Sequence, residues 1–286
     1  MREFRNGFTL FFWNRSSFPR MLESSRVLKR MDTRFRGYDG KSQVSESPES
    51  IRSTVFVKLL AVETATEACS AAVWMDGVVL ERYEWAPRRH AALILPMIEA
   101  LLAESGLRPT QLDALALGCG PGAFTGVRIA VSVVQGIAFA ADLPVAPVST
   151  LAALALAAGR ETAAPRVAAA LDARMGEVYW GTYAVTDATA TLLGVERCCA
   201  PHAVSAPAAE GDWLGAGSGW ATYAGVLAQH LSVSAWQGDR YPRAGEVVRL
   251  AADPGRRATW VSAEQALPVY LRNEVAKKQA PVNPQL

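Results

Sequence analysis

The sequence predicts an α/β protein of two lobes, in which one unit is repeated. Three observations carry this. The apolar run VFVKLLAVE ends in Glu63, and a second run, RVAAALD, ends in Asp172. Each acid is followed by a short turn and a strand-like stretch running back. Each half later carries apolar residues, a G-x-G-x-G turn and a helix-like segment, with Gly118, Gly120 and Gly122 matched by Gly215, Gly217 and Gly219. Short strands alternating with helical stretches indicate layered α/β packing. The alignment reads as an internal duplication; the simpler alternative is that α/β units share glycine-rich turns.

The elements follow in order. Residues 1–56 are set apart as an N-terminal extension, read as disordered or as a mis-assigned start. Their opening is basic with an apolar stretch too short for a secretory signal, and GYDGKSQVSESPES is a polar linker. An Arg-rich, acid-poor start also permits a transit-peptide reading. The first lobe covers 57–160. It opens with the strand ending at Glu63, then a hairpin over CSAAVWMDGVVLERYEW turning at Asp76–Gly77. HAALILPMIEALLAESG is a helix closed by Gly106. A start near Leu93 would put Pro96 in the first turn, where it removes no helical bond. LDALALG is a strand, and the loop GCGPGAFTG leads into a helix over Thr125–Ala141 with Thr125 as its cap. LPVAPVST holds a short strand. The second lobe, 161–280, repeats the pattern through RVAAALD, EVYWGTYAV and DWLGAGSGW.

Composition narrows the function. No apolar run approaches the ~18 residues of a spanning helix, so the reading is a soluble protein without a membrane role. Cys69, Cys119, Cys198 and Cys199 form no CxxC pair and read as reduced thiols of a cytoplasmic protein. His90, His202 and His230 lie far apart, so no metal site is expected. The net charge of +2 is uneven: residues 1–58 carry nine Arg and three Lys against six acids, which leaves −4 for the rest. A negatively charged globular part is a poor nucleic-acid binder by itself.

Acids at strand ends, at the lip of a cleft between duplicated lobes, are the arrangement of the actin, Hsp70 and sugar-kinase type of ATPase (the ASKHA fold). Ligands of α/β folds collect at such strand ends. Here the apparatus looks weakened. Ala65 stands where a glycine would let backbone amides approach a phosphate, and Arg174 and Met175 crowd the second turn. Glu63 is longer than the usual Asp. The loop 118–126 is no Walker A, because Arg128 follows Gly126 without a Lys-Ser/Thr pair, and no G-x-S-x-G elbow exists. It can be a structural turn, a ligand loop or a loop that shapes an interface. The residues of these turns, Glu63, Thr64, Gly118, Gly120, Gly122, Thr125, Gly126, Arg128, Asp172, Arg174 and Gly217, are the candidate nucleotide or structural positions. No catalytic residue and no cofactor is assigned, with weak ATP or ADP binding left open. His90 reads as structural, and Tyr179, Trp180 and Tyr183 as packing residues. The two helices 90–104 and 125–141 are apolar almost all round, which implies burial on both sides or a face for a partner.

LAVETATEACSAAVW, GCGPGAFTGVRIA, LDARMGEVYWGTY and PVYLRNEVAKK together resemble the TsaB (YeaZ) family over roughly residues 57–280. The resemblance implies a two-lobed actin-like ATPase fold without a working catalytic centre. It further implies a scaffold role beside a TsaD-type catalytic subunit and a small TsaE-type P-loop ATPase. Together these transfer threonylcarbamoyl from its adenylate to N6 of adenosine 37 in tRNAs reading ANN codons, so tRNA is met only through the complex. In the family the two first-lobe helices form the partner face, which points to Ile94, Met97, Ile98, Leu101, Ile129, Val133 and Ile137 here, or to a homodimer when the partner is absent. The family's metal-bearing partner has an H-x-x-x-H pair that this chain lacks. Glu63 replaces the Asp of many relatives, and the extension is unmatched. An autonomous ASKHA-type ATPase or small-molecule kinase is the alternative. A peptidase finds no nucleophile–base pair or zinc motif.

Overall fold

The computed structural model describes residues 57–207 and 212–272. The extension 1–56 and the end of the second lobe, 273–280, lie outside the described residues.

The first sheet is built from Lys58–Glu63 (β1), Ala68–Met75 (β2), Val78–Trp85 (β3), Ala114–Gly118 (β4) and Val145–Val148 (β5). Its order is β3-β2-β1-β4-β5, with β1, β2 and β3 antiparallel and β1, β4 and β5 parallel. The Asp76–Gly77 turn has φ of 50° and 91°, the left-handed pair a two-residue hairpin needs. β1 reads as an unbroken apolar run because both faces are covered. Leu59 and Ala61 enter one core cluster, Leu60 and Val62 another.

The second sheet contains Arg166–Arg174 (β6), Glu177–Val185 (β7), Ala190–Leu192 (β8), Trp213–Ala216 (β10) and Val233–Gln237 (β11), and a short strand, Arg197–Cys199 (β9), pairs with β7. Its order is β11-β10-β6-β7-β8. Read in reverse, β8-β7-β6-β10-β11, it repeats the order and the directions of the first sheet.

Among the described residues, five α-helices complete the layers. His90–Ser105 (α1) and Phe124–Ala141 (α2) cover the outer face of the first sheet, and Ser218–Leu227 (α4) covers the outer face of the second. Thr150–Thr162 (α3) and Ala244–Ala252 (α5) lie between the sheets. α3 packs on β6 and β7, whereas α5 packs on β1 and β2. Leu59, Leu154, Val167 and Val248 therefore share one core. Each such side chain contributes about 1.5–3 kcal/mol on burial. α3 is capped by Ser149, whose Oγ accepts from the Leu151 and Ala152 amides at 3.1 and 3.3 Å.

Three local expectations are corrected. α1 starts at His90, in line with the helix expected over 90–104, so the condition of a start near Leu93 is not met and Pro96 is inside the helix. It is exposed there, as is Ala92, the residue whose carbonyl a helical amide at position 96 would have met. α2 starts at Phe124 behind Ala123, and no side chain caps it; Thr125 is its second residue. α2 is also long and apolar enough, by length and composition, to cross a membrane. The sequence reading missed this because Arg128, Ser132 and Gln135 interrupt the run without lowering its average. Val127, Ala130, Val131, Val134 and Ala138 bury one side of α2 in the first-sheet core.

Candidate functional site

The glycine loop brings backbone against backbone. At Gly122 and Gly126 any Cβ would overlap the carbonyls of Ala65 and Thr64. Thr64 Oγ donates to the Gly126 carbonyl at 2.7 Å, and the Ala123 amide donates to the Ala65 carbonyl at 2.7 Å. Gly118 gives its missing side-chain volume to the Glu63 carboxylate. Glu63 is buried and turned inward. Its Oε1 accepts from the Ala65 amide at 2.6 Å and its Oε2 from Thr150 Oγ at 3.1 Å. Burial raises its pKa from 4.5 to about 7, against the opposing pull of these bonds. The Ala65 amide, at the tip of the first turn, is thus already used. The second half repeats the device: Gly217 has φ +103°, as Gly120 has, and a Cβ there would overlap the Ala170 carbonyl.

A cleft of about 740 Å³ opens between the sheets. Asp172 and Arg174 line it, and Glu63 does not. Asp172 Oδ1 accepts the Arg174 amide at 2.8 Å, and the Asp172 amide donates to Ser218 Oγ at 3.0 Å. Arg174 and Met175 both take positive φ, 63° and 58°, which turns the exposed Met175 to the hairpin tip. The Arg174 guanidinium reaches Glu67 of the first sheet's turn at 3.2 Å and Asp172 at 3.7 Å. The first acid thus points inward, and the Ala65 and Arg174 amides are each taken by the acid of their own turn. Among the described residues no cluster of three or more His, Cys, Asp or Glu is placed to hold a metal ion.

The outer helices present a second feature. Ile94, Met97, Ile98 and Leu101 are buried against their own sheet, at 1, 9, 3 and 1% exposure. α1 turns this apolar stripe inward, because β2 needs covering, and of the four expected partner-face residues Ile94 also lines the groove between α1 and α2. Ile129, Val133 and Ile137 are half-buried. Between α1 and α2 runs an open groove of about 460 Å³, with Ala91, Leu95, Phe124, Ile129 and Val133 in its walls. Leu95, Phe124 and Phe139 are 49, 55 and 76% exposed. Among the described residues Arg128 has no carboxylate partner; its guanidinium lies 3.4 Å from the centre of the Phe124 ring, and its Nε donates to Tyr270 Oη at 2.8 Å.

His90 is a core residue, its Nε2 2.8 Å from the Thr66 carbonyl. Trp180 and Tyr183 are fully buried, and Tyr179 lines the cleft. Sequence reasoning missed Trp85, Tyr241 and the segment Pro268–Arg272, all but Pro268 in the cleft wall. That segment has no periodicity, and only the resemblance to PVYLR drew attention to it.

A family model described as TsaD, tRNA N6-adenosine threonylcarbamoyltransferase, matches residues 77–278. The chain is similar to the tRNA threonylcarbamoyladenosine biosynthesis protein TsaB of Escherichia coli, 41% identical over 79% of this chain and 99% of that protein. The protein of the same name from Haemophilus influenzae is 40% identical over 78% of this chain and 97% of its own length. The solved structure described as YeaZ from Pseudomonas aeruginosa superimposes with a TM-score of 0.71 at 49% identity, covering 75% of this chain and all of that one. On these similarities the chain belongs to the TsaB (YeaZ) family.

Proposed function

We propose that this protein is a non-catalytic scaffold subunit in the formation of N6-threonylcarbamoyladenosine at position 37 of tRNAs reading ANN codons. Its fold is the actin-like ATPase type, with the nucleotide apparatus lost. It acts in the cytoplasm, binds a TsaD-type catalytic subunit through the outer face of α1 and α2, and meets a TsaE-type P-loop ATPase and tRNA only in the assembly. Without the partner, the same face pairs two copies of the chain. The observation that carries this reading is the open apolar groove between two helices whose other sides already complete the core. Leu95 and Phe124 in its wall are exposed, as is Phe139 further along α2, and no other described element covers the groove.

The cleft supports the non-catalytic half of the reading. Glu63 is spent on the Ala65 amide and Thr150, and Arg174 bridges the two turns. An autonomous ATPase would need both groups free. The test uses exposed positions, so that folding is spared. Leu95→Asp with Ser132→Arg places charges on the groove. Affinity for the TsaD-type subunit should fall by about 30-fold or more, roughly 2 kcal/mol. Undiminished co-purification would remove the groove as the docking face.

A further inference from the structure

The segment Pro268–Arg272 belongs to no helix or strand, yet it is tied at both ends. On the first-sheet side the Val269 amide donates to the Cys119 carbonyl at 2.8 Å. Only a glycine at position 120 lets it lie so close, since a Cβ there would stand 2.9 Å from the Val269 carbonyl oxygen. Tyr270 Oη accepts from Arg128 Nε at 2.8 Å. On the second-sheet side the Arg272 guanidinium donates to Glu177 Oε2 from Nε at 3.0 Å, and to the carbonyls of Ala173 and Arg174 at 2.9 and 3.2 Å. These five hydrogen bonds hold the segment in the wall of the cleft, against both sheets. None of its apolar side chains is fully buried: Val269 and Tyr270 stay 41 and 48% exposed, and Pro268 and Leu271 are half-buried. Such a segment is held by bonds that can be exchanged for water, not by burial.

Phe124 and Arg128 stand in the wall of the cleft and in the wall of the α1–α2 groove at once. Arg128 is stacked on Phe124 and bonded to Tyr270, so a change at the groove reaches the segment through one side chain. We propose that residues 268–272 are a strap that holds the two lobes closed over the cleft, with Arg128 as the pivot linking the strap to the α1–α2 groove. The strap's role in closure is independent of what docks in the groove.

The test has two readouts on the whole chain. Exchange of the Val269 amide is followed by NMR. Lobe separation is followed by spin labels at Asp76→Cys and Ala188→Cys, in a Cys198→Ser/Cys199→Ser background. Arg272→Ala should speed Val269 exchange by about tenfold or more, and Tyr270→Phe and Arg128→Ala by about three- to tenfold. Amides of β1 and β6 should keep their protection, and the label distance should lengthen or broaden. If Arg272→Ala loses sheet protection as well, Tyr270→Phe, which deletes one oxygen, decides. Unchanged Val269 exchange in Tyr270→Phe and Arg128→Ala would overturn the pivot. Faster exchange with an unaltered label distance would overturn the strap as a closing device.

Discussion

The Glu63 carboxyl lies wholly inside the protein, where burial disfavours its charged form and raises its pKa to about 7. The folded chain therefore holds a proton that the unfolded chain releases near 4.5. The stability this gives is fully present below about pH 4.5 and is lost as the pH rises through about 7, with an upper bound of roughly 3 kcal/mol. Glu63→Gln should flatten that slope in urea titrations across the same range, and should be the more stable form above pH 7. Parallel slopes would contradict the assignment. Gly126→Ala tests the loop, because the new Cβ meets the Thr64 carbonyl. A loss of about 2–4 kcal/mol is expected, measured by chemical denaturation. The glycines were legible in the sequence as a turn, and the choice between turn and ligand loop was not. That choice depends on which backbone lies opposite, and residues 64 and 65 are far from 122 and 126 along the chain. The inward turn of Glu63 was hidden for the same reason, since it needs both Gly118 and Thr150.

Along the outer helices, each apolar stripe has a different duty. Ile98 is buried and Phe139 is 76% exposed. Ile98→Ala should cost about 2–4 kcal/mol, whereas Phe139→Ser should stay within about 0.5 kcal/mol, both by urea unfolding. Equal costs would mean that the described burial is wrong. β1 to β7, β10 and the outer helices were readable, β7 to its exact bounds, because alternation and apolar period mark them, whereas the short β8 and β9 and the edge strand β11 were passed over. The faces were not readable, since Ile94 and Leu95 are adjacent and both apolar. α3 and α5 were passed over. α3 is apolar on every side because it lies between two sheets, which removes the polar face that marks a surface helix. Its signals, the Ser149 cap and the Gly-Arg near its end, are short.

Across the whole molecule, the two sheets repeat one topology and share a central core through α3 and α5. The repeat was visible in the sequence from the paired acid and glycine turns. The exchange of helices was not, because α3 starts in the first half and runs across the expected boundary at 160 to pack on β6 and β7, while α5 comes from the second half and packs on β1 and β2. The same folding leaves the cleft bridged by Arg174 and crossed by residues 268–272, and leaves the outer groove open. Purified protein should turn over no ATP, and Asp172→Asn should change nothing; a rate that the variant abolishes would favour a lone enzyme. The most direct measurement is hydroxyl-radical footprinting with and without the TsaD-type subunit. Leu95 and Phe139 should lose most of their reactivity on mixing, while Trp236, exposed on the edge of the second sheet, keeps its own. A complex that forms while Leu95 and Phe139 remain fully reactive would contradict the account.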